Sequence, residues 1–134
     1  MTTPQGPANL EATIDAVRIL TPTNADCVTH TNHCVHSDFQ HINADFTELI
    51  QSHPRKKRID ELLLGGDTPD AEQVKNALQD HSGHPTSICR HKNPDPQHGF
   101  WTTVFSIVIQ PALRQMQVSR GTPCNHPFET YTMT

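Results

Sequence analysis

The hydrophobic positions of this chain alternate near its start, recur at helical spacing in its middle and alternate again near its end. Over residues 10–20 apolar side chains occupy every second position, and the parity changes near Asp15 and Ala16. This pattern predicts a strand with a bulge or bend at that point. Residues 21–24 have the composition of a turn, and residues 25–32 predict a second strand. The two strands are therefore expected to form a hairpin.

Helical spacing predicts two helices in the middle of the chain, after an irregular polar segment and a possible single helical turn at residues 46–50. The first helix begins near Pro54, a residue suited to a first helical turn, and ends before Gly65. The second follows an N-cap at Thr68 and ends before Gly83. Their apolar stripes are Ile59, Leu62 and Leu63 in the first helix, and Ala71, Val74 and Leu78 in the second.

The last third of the chain predicts strands. Residues 86–90 are expected to be extended, and residues 100–109 are the strongest strand pattern. Its two faces are apolar: Phe105, Ile107 and Ile109 on one, Val104 and Val108 on the other. A strand of this kind is expected at the centre of a sheet, covered on both sides. Residues 113–120 predict an antiparallel partner after a turn at Pro111, and residues 121–134 a tail. Strands, helices and strands in this order predict an α+β fold.

Composition limits the size of the core and the classes of partner. Only 34% of the 134 residues are hydrophobic and the formal charge is −4, so we expect one domain at residues 10–134 after a disordered tail at residues 1–9. The basic run at residues 55–58 has no interleaved aromatic residues, which is typical of a solvated helix face and argues against a nucleic-acid partner. No apolar run is long enough for a bilayer and no signal peptide is evident, so a cytoplasmic protein with reduced thiols is expected.

Residues 30–34, His-Thr-Asn-His-Cys, concentrate the side chains that carry chemistry. A zinc site could use Cys27, His30, His33 and Cys34, but their spacing matches no standard structural site. Strand alternation also places Cys27 and His33 on the opposite face from His30 and Cys34. With ten histidines in the chain, local clusters arise by chance. We therefore expect neither a metal nor another cofactor, and a small zinc-binding protein remains an alternative.

A catalytic role for the same segment has two forms. Cys34 and the adjacent His33 could form a nucleophile pair, but neighbours on an extended chain point to opposite faces. The carboxamide of Asn32 donates two hydrogen bonds and could stabilise an oxyanion at a strand end. The alternative is that Asn32 caps a turn, and spacing alone favours that alternative.

Four motifs in register resemble one enzyme family. Residues 28–34 resemble its HTNH segment, and residues 52–58 with Leu62 and Leu63 resemble its S-x-x-R-x-x-R…LL helix. Residues 87–90, Ser-Ile-Cys-Arg, resemble its SICR strand, and residues 103–109 with residues 121–131 resemble its closing segments. The family is the C45-type acyl-coenzyme A:6-aminopenicillanic acid acyltransferases, which are N-terminal-nucleophile hydrolases and include hydrolases of N-β-alanyl amines.

The resemblance implies an αββα sandwich and chemistry on a small-molecule amide or acyl thioester. In the family, a cysteine freed at a new N-terminus is the nucleophile, and its own α-amine is the base. The resemblance assigns Asn32 to the oxyanion and places Arg90 near the substrate, with His30 as a further substrate-binding residue. Without the resemblance, the simpler interpretation is that Arg90 ends a strand and pairs with a residue at the surface.

The sequence departs from the family because the Gly-Cys-Thr nucleophile segment is absent. A second basic residue after the SICR segment is not clear either, since only Lys92 and His98 are near. We therefore expect the C-terminal portion of such an enzyme, inactive alone, whose partner is the missing N-terminal part or another chain. A non-enzymatic truncated product that pairs with another chain is the alternative.

Overall fold

The computed structural model describes residues 2–3, 6–22, 27–43, 51–96 and 99–133. Helices and antiparallel sheets give the chain an α+β fold, as predicted. It divides into two units, Met1–Pro69 and Asp70–Thr134. The strands are β1 (Thr2–Thr3), β2 (Gly6–Pro7), β3 (Asn9–Ala12), β4 (Val17–Leu20), β5 (Phe105–Gln110), β6 (Gln115–Arg120) and β7 (Phe128–Thr132). The helices are α1 (Ser52–Leu63) and α2 (Ala71–Leu78), with 3-10 turns at Ser37–Ile42 and Pro111–Leu113.

A hairpin of β3 and β4 begins the first unit, and Leu10 lies opposite Ile19. The chain reverses at Thr13, whose side-chain oxygen accepts hydrogen bonds from the backbone N–H groups of Asp15 and Ala16 at 3.2 and 3.1 Å. The prediction of one bent strand over residues 10–20 is therefore wrong, because the expected bend is a complete turn. The predicted second strand is also wrong over its described part, where Cys27 forms an isolated bridge.

The buried face of this hairpin is the opposite of the one that the apolar pattern indicates. Glu11 is 5% exposed, whereas Leu10 is 43% and Ile14 100% exposed. The carboxylate of Glu11 thus occupies an interior position. Before β3, a two-residue ladder pairs Thr2 with Pro7 and Thr3 with Gly6. The disordered tail and the domain boundary at residue 10 stay predictions.

Both predicted helices are confirmed. α1 begins at Ser52, two residues before Pro54, and ends before the two glycines at 65–66. α2 begins after Asp70 rather than Thr68, because a capping box stabilises its first turn: the Asp70 side chain accepts from the Gln73 N–H at 2.8 Å, and the Gln73 side chain accepts from the Asp70 N–H. The helical turn predicted at residues 46–50 lies outside the described residues.

The sheet of the second unit has the order β5-β6-β7, and all its pairs are antiparallel. The partner strand is confirmed as β6, but β6 rather than β5 is central in the described sheet. β7 lies in the predicted tail. On β5 the polar Ser106 and Val108 form the buried face, packed toward α2, while Phe105, Ile107 and Ile109 are at least 41% exposed. The expected burial of both faces of β5 is therefore wrong. Residues 86–89 form bends rather than a strand, and residue 90 has no regular structure.

Buried hydrophobic side chains are few in the described residues: Phe39 and Leu63 in the first unit, and Ala77, Cys89 and Val108 in the second. Small polar residues such as Ser87 and Ser119 fill much of the remaining interior. No helix in the described part of the chain has the length and apolarity to cross a bilayer.

Candidate functional site

The side chain of Asn32 is held by the first turn of α1. Its Oδ1 accepts a hydrogen bond from Arg55 Nη2 at 2.7 Å, and its backbone N–H donates to Ser52 Oγ at 2.7 Å. Because the carboxamide oxygen is bonded to a guanidinium, the amide hydrogens on Nδ2 are the end of this side chain that remains to donate. No acceptor for them lies among the described residues, and Asn32 is exposed. The carboxamide is therefore an oriented donor.

Ser52 connects three consecutive residues of the HTNH segment to α1. It is 6% exposed, and its hydroxyl accepts from Asn32, donates to Thr31 Oγ1 at 2.9 Å and lies 2.7 Å from His33 Nδ1. The Thr31 hydroxyl in turn donates to the Ser52 carbonyl at 3.1 Å. Burial, with the neighbouring positive charges of His53, His30 and Lys56, lowers the pKa of His33. The segment is thus fixed by a network rather than by one contact.

Glu11 anchors the same segment from the hairpin. Its carboxylate accepts the backbone N–H groups of Val35 and His36 at 2.5 and 3.0 Å and lies 2.8 Å from His30 Nε2. Burial alone would raise the pKa of Glu11, but these hydrogen bonds and the charge of His30 lower it below its usual value. His30 Nδ1 lies 2.5 Å from the Thr31 carbonyl. Both ring nitrogens thus face acceptors.

Cys34 is held through its backbone rather than its thiol. Its N–H donates to Asn43 Oδ1 at 2.7 Å, and its carbonyl accepts from Asn43 Nδ2 at 2.9 Å. Upstream, Thr29 is buried and donates to Asp60, which also pairs with Lys56 at 2.6 Å. Contacts on both sides of Asn32 therefore limit its movement, which is the condition for a preorganised donor.

Arg90 lies in the second unit and is 8% exposed. Its N–H donates to Thr103 Oγ1, and its carbonyl accepts from the Thr103 N–H, each at 3.0 Å. Burial lowers the pKa of its guanidinium, which remains a cation at neutral pH.

The two residues that flank Arg90 belong to a cluster of four side chains with nitrogen and sulfur donors. His81, Cys89, His91 and Cys124 each offer one such atom, and these atoms all lie within 4.8 Å of one another. Cys89 is fully buried, and burial together with a hydrogen bond to Cys124 raises its pKa to about 11.

The predicted motifs form one group in each unit, and in the second unit the SICR segment contacts the closing segments through Arg90 with Thr103 and Cys89 with Cys124. The HTNH segment and the Ser52-x-x-Arg55 turn form one network around Asn32, and His30 belongs to it. Arg90 lies in the other unit. The zinc ligands considered as an alternative, Cys27, His30, His33 and Cys34, do not come together as a possible metal site in the described residues, whereas the four residues around Cys89 do. Sequence analysis did not identify Glu11, although an acid within an apolar strand was a visible signal.

A model of the family described as acyl-coenzyme A:6-aminopenicillanic acid acyl-transferase matches residues 3–125. This match includes residues of both units, the first three motifs and the closing segments as far as residue 125. A search of curated proteins finds no match to the chain.

Proposed function

Because the chain belongs to the acyl-coenzyme A:6-aminopenicillanic acid acyl-transferase family, we propose that it forms the oxyanion-binding and substrate-binding part of an acyl-transfer site. The proposed enzyme is a cysteine N-terminal-nucleophile amidohydrolase or acyltransferase with an αββα sandwich. Its substrate is a small molecule with an amide or thioester bond. The nucleophilic cysteine comes from polypeptide outside this sequence.

The observation that carries the proposal is the hydrogen bond from Arg55 to the carboxamide oxygen of Asn32. When a thiolate attacks a carbonyl carbon, the C=O π electrons move to oxygen and leave an oxyanion. The Nδ2–H of Asn32 would donate to that oxyanion, and the guanidinium on the other end of the carboxamide would polarise it further. Donors fixed before the reaction stabilise such a transition state by a factor of about 10²–10³ in rate.

The described thiols support a nucleophile from elsewhere. Cys89 is fully buried and its pKa is raised to about 11, so its thiolate is scarce at neutral pH. Burial and the charge of Asp60 also raise the pKa of Cys27. In the proposed mechanism the base is the α-amine of the nucleophile itself, which no internal cysteine has.

Arg90 and His30 complete the proposal on the substrate side. The guanidinium of Arg90 is proposed to bind a substrate carboxylate, because its planar array of N–H donors can form one hydrogen bond to each carboxylate oxygen. His30 is exposed and lies two residues before Asn32. We propose that it contacts the substrate while its pairing with Glu11 keeps the ring oriented.

The test is a fusion protein in which the Gly-Cys-Thr segment and following strands of a complete family member precede this chain in one polypeptide. Release of amine or thiol from amide and thioester substrates is measured for the fusion and for the chain alone. We expect turnover by the fusion and none by the chain. Asn32→Ala in the fusion should lower kcat about 10²–10³-fold with little change in KM.

Asn76→Ala is the matched control, because Asn76 is an exposed asparagine on α2, and it should leave kcat unchanged. Turnover by the chain alone would contradict an external nucleophile. Equal kcat for Asn32→Ala and the parent fusion would contradict the oxyanion role.

A further inference from the structure

The strongest unassigned feature of the molecule is the cluster of His81, Cys89, His91 and Cys124 in the second unit. Four of its interatomic distances are short. His91 Nε2 lies 3.0 Å from His81 Nε2 and 3.2 Å from Cys124 Sγ, and Cys89 Sγ lies 3.7 Å from His91 Nε2 and 3.6 Å from Cys124 Sγ. Four atoms that converge this closely are well placed to share one ion.

The expected dimensions of a zinc site can be compared with these distances. Zinc bonds of about 2.0–2.1 Å to nitrogen and about 2.3 Å to sulfur, arranged tetrahedrally, give edges of about 3.3–3.8 Å between ligand atoms. Four of the six edges, at 3.0–3.7 Å, agree with that range to within a few tenths of an ångström, and the other two, from His81 to the two sulfur atoms, are no longer than 4.8 Å. We propose that His81, Cys89, His91 and Cys124 bind one zinc ion.

The donor set favours zinc over other cations. Two thiolates and two imidazoles are ligands for zinc rather than for calcium or magnesium, which require oxygen. Coordination would remove the proton from each thiol, and the two resulting thiolates would neutralise the charge of Zn²⁺, so the complex that includes the fully buried Cys89 would be neutral. Four protein ligands leave no open position, so the site is structural rather than catalytic.

The local backbone shows what the ion would hold together. The ligands lie on three segments without regular structure: the turn after α2, the segment around Arg90, and the turn at residues 122–126. The Cys89 N–H donates to the Asp80 carbonyl at 3.0 Å, which brings the first two segments together. The third turn is closed by the N–H groups of Asn125 and His126, which donate to the Thr122 carbonyl at 3.0 and 3.1 Å. A metal would cross-link all three.

One consequence concerns Arg90, which lies between two of the ligands. Coordination of Cys89 and His91 would fix the backbone on both sides of its side chain. That consequence rests on the proposed function, whereas the metal site itself does not.

The experiment uses the full chain, expressed with zinc and purified under reducing conditions. Elemental analysis should find one zinc per chain. Replacement by Co²⁺ should give the visible absorption bands of tetrahedral cobalt and a near-ultraviolet thiolate charge-transfer band. Cys124→Ser should weaken zinc affinity by at least about 100-fold, since loss of outer contacts alone costs up to that factor. Cys34→Ser is the matched control and should bind zinc as the parent does.

A second measurement needs no variant and so does not depend on the folding of Cys124→Ser. In the zinc-loaded parent, Cys89 and Cys124 should resist alkylation by N-ethylmaleimide, and a strong chelator should restore the reactivity of Cys124. Three results would overturn the proposal: less than one tenth of an equivalent of zinc after exposure to zinc salt, cobalt bands lost in Cys34→Ser, or a metal-free chain with a Cys89–Cys124 disulfide under the same reducing conditions.

Discussion

Arg55 Nη2 donates to Asn32 Oδ1 at 2.7 Å, and this bond fixes which end of the Asn32 carboxamide is left to donate. The residues come from two separate motifs, the HTNH segment and the first turn of α1. Their contact orients the Asn32 carboxamide, with a guanidinium at its oxygen and its amide hydrogens pointing away from that cation.

The first prediction tests this orientation. Arg55→Met removes the cation and its donors while keeping an unbranched side chain, so the Asn32 carboxamide loses its fixed orientation. The Nδ2H₂ signals of Asn32 in ¹⁵N NMR spectra should shift, and kcat of the fusion protein should fall about tenfold, the effect of roughly 1.4 kcal/mol. Lys57→Met, at an exposed position of the same helix, should change neither quantity. Unchanged Asn32 signals in Arg55→Met would contradict the orienting role.

The sequence predicted the motifs of this site but not their arrangement. Asn32 could be singled out through the family resemblance, because motif residues keep their order along the chain. That Ser52 and Arg55 contact Asn32 depends on how the intervening chain folds back, which no local pattern encodes. Glu11 shows the same limit. Alternation in β3 reveals two faces, but the face that becomes buried is decided by N–H donors from Val35 and His36, more than twenty residues away.

The second prediction concerns the buried carboxylate of Glu11. Glu11→Gln keeps the shape of the side chain but replaces one acceptor oxygen by a donor group that faces N–H groups. Because this leaves buried donors unsatisfied, the free energy of unfolding in denaturant titrations should fall by about 2–4 kcal/mol. Glu72→Gln, whose side chain is 73% exposed, should change it by less than about 0.5 kcal/mol. If Glu11→Gln and Glu72→Gln lowered the free energy of unfolding by the same small amount, Glu11 would not anchor the segment.

The third prediction is loss of stability in acid in two steps. The pKa of His33 lies below its unfolded value of 6.5, so the folded state favours the neutral ring and loses stability as pH falls below about 6.5. The pKa of Glu11 lies below its unfolded value of 4.5; its stabilisation is complete above that pH and is lost as pH falls through the folded pKa.

Thermal melts between pH 8 and pH 3 should therefore show a decline that begins near neutrality and a second one in acid. His33→Asn, which keeps a polar atom near the Ser52 hydroxyl, should remove the first decline only. Glu11→Gln should remove the second only. A melting temperature that is constant between pH 7.5 and pH 5 in the parent would contradict the His33 step.

The fourth prediction tests the two faces of β5, where the apolar pattern was misleading. A strand with apolar side chains on both faces is typical of a covered, central position, but alternation cannot show whether the chain supplies a second cover. In the structure Val108 is 8% exposed and Ile107 is 41% exposed.

Val108→Ala should therefore lower the free energy of unfolding by about 2 kcal/mol, because it removes two buried methyl groups and leaves a cavity. Ile107→Ala removes more atoms but should cost less than about 1 kcal/mol, since its side chain already contacts solvent. Denaturant titrations of the two variants compare the faces directly, and a larger loss for Ile107→Ala would show that the second face is covered in solution.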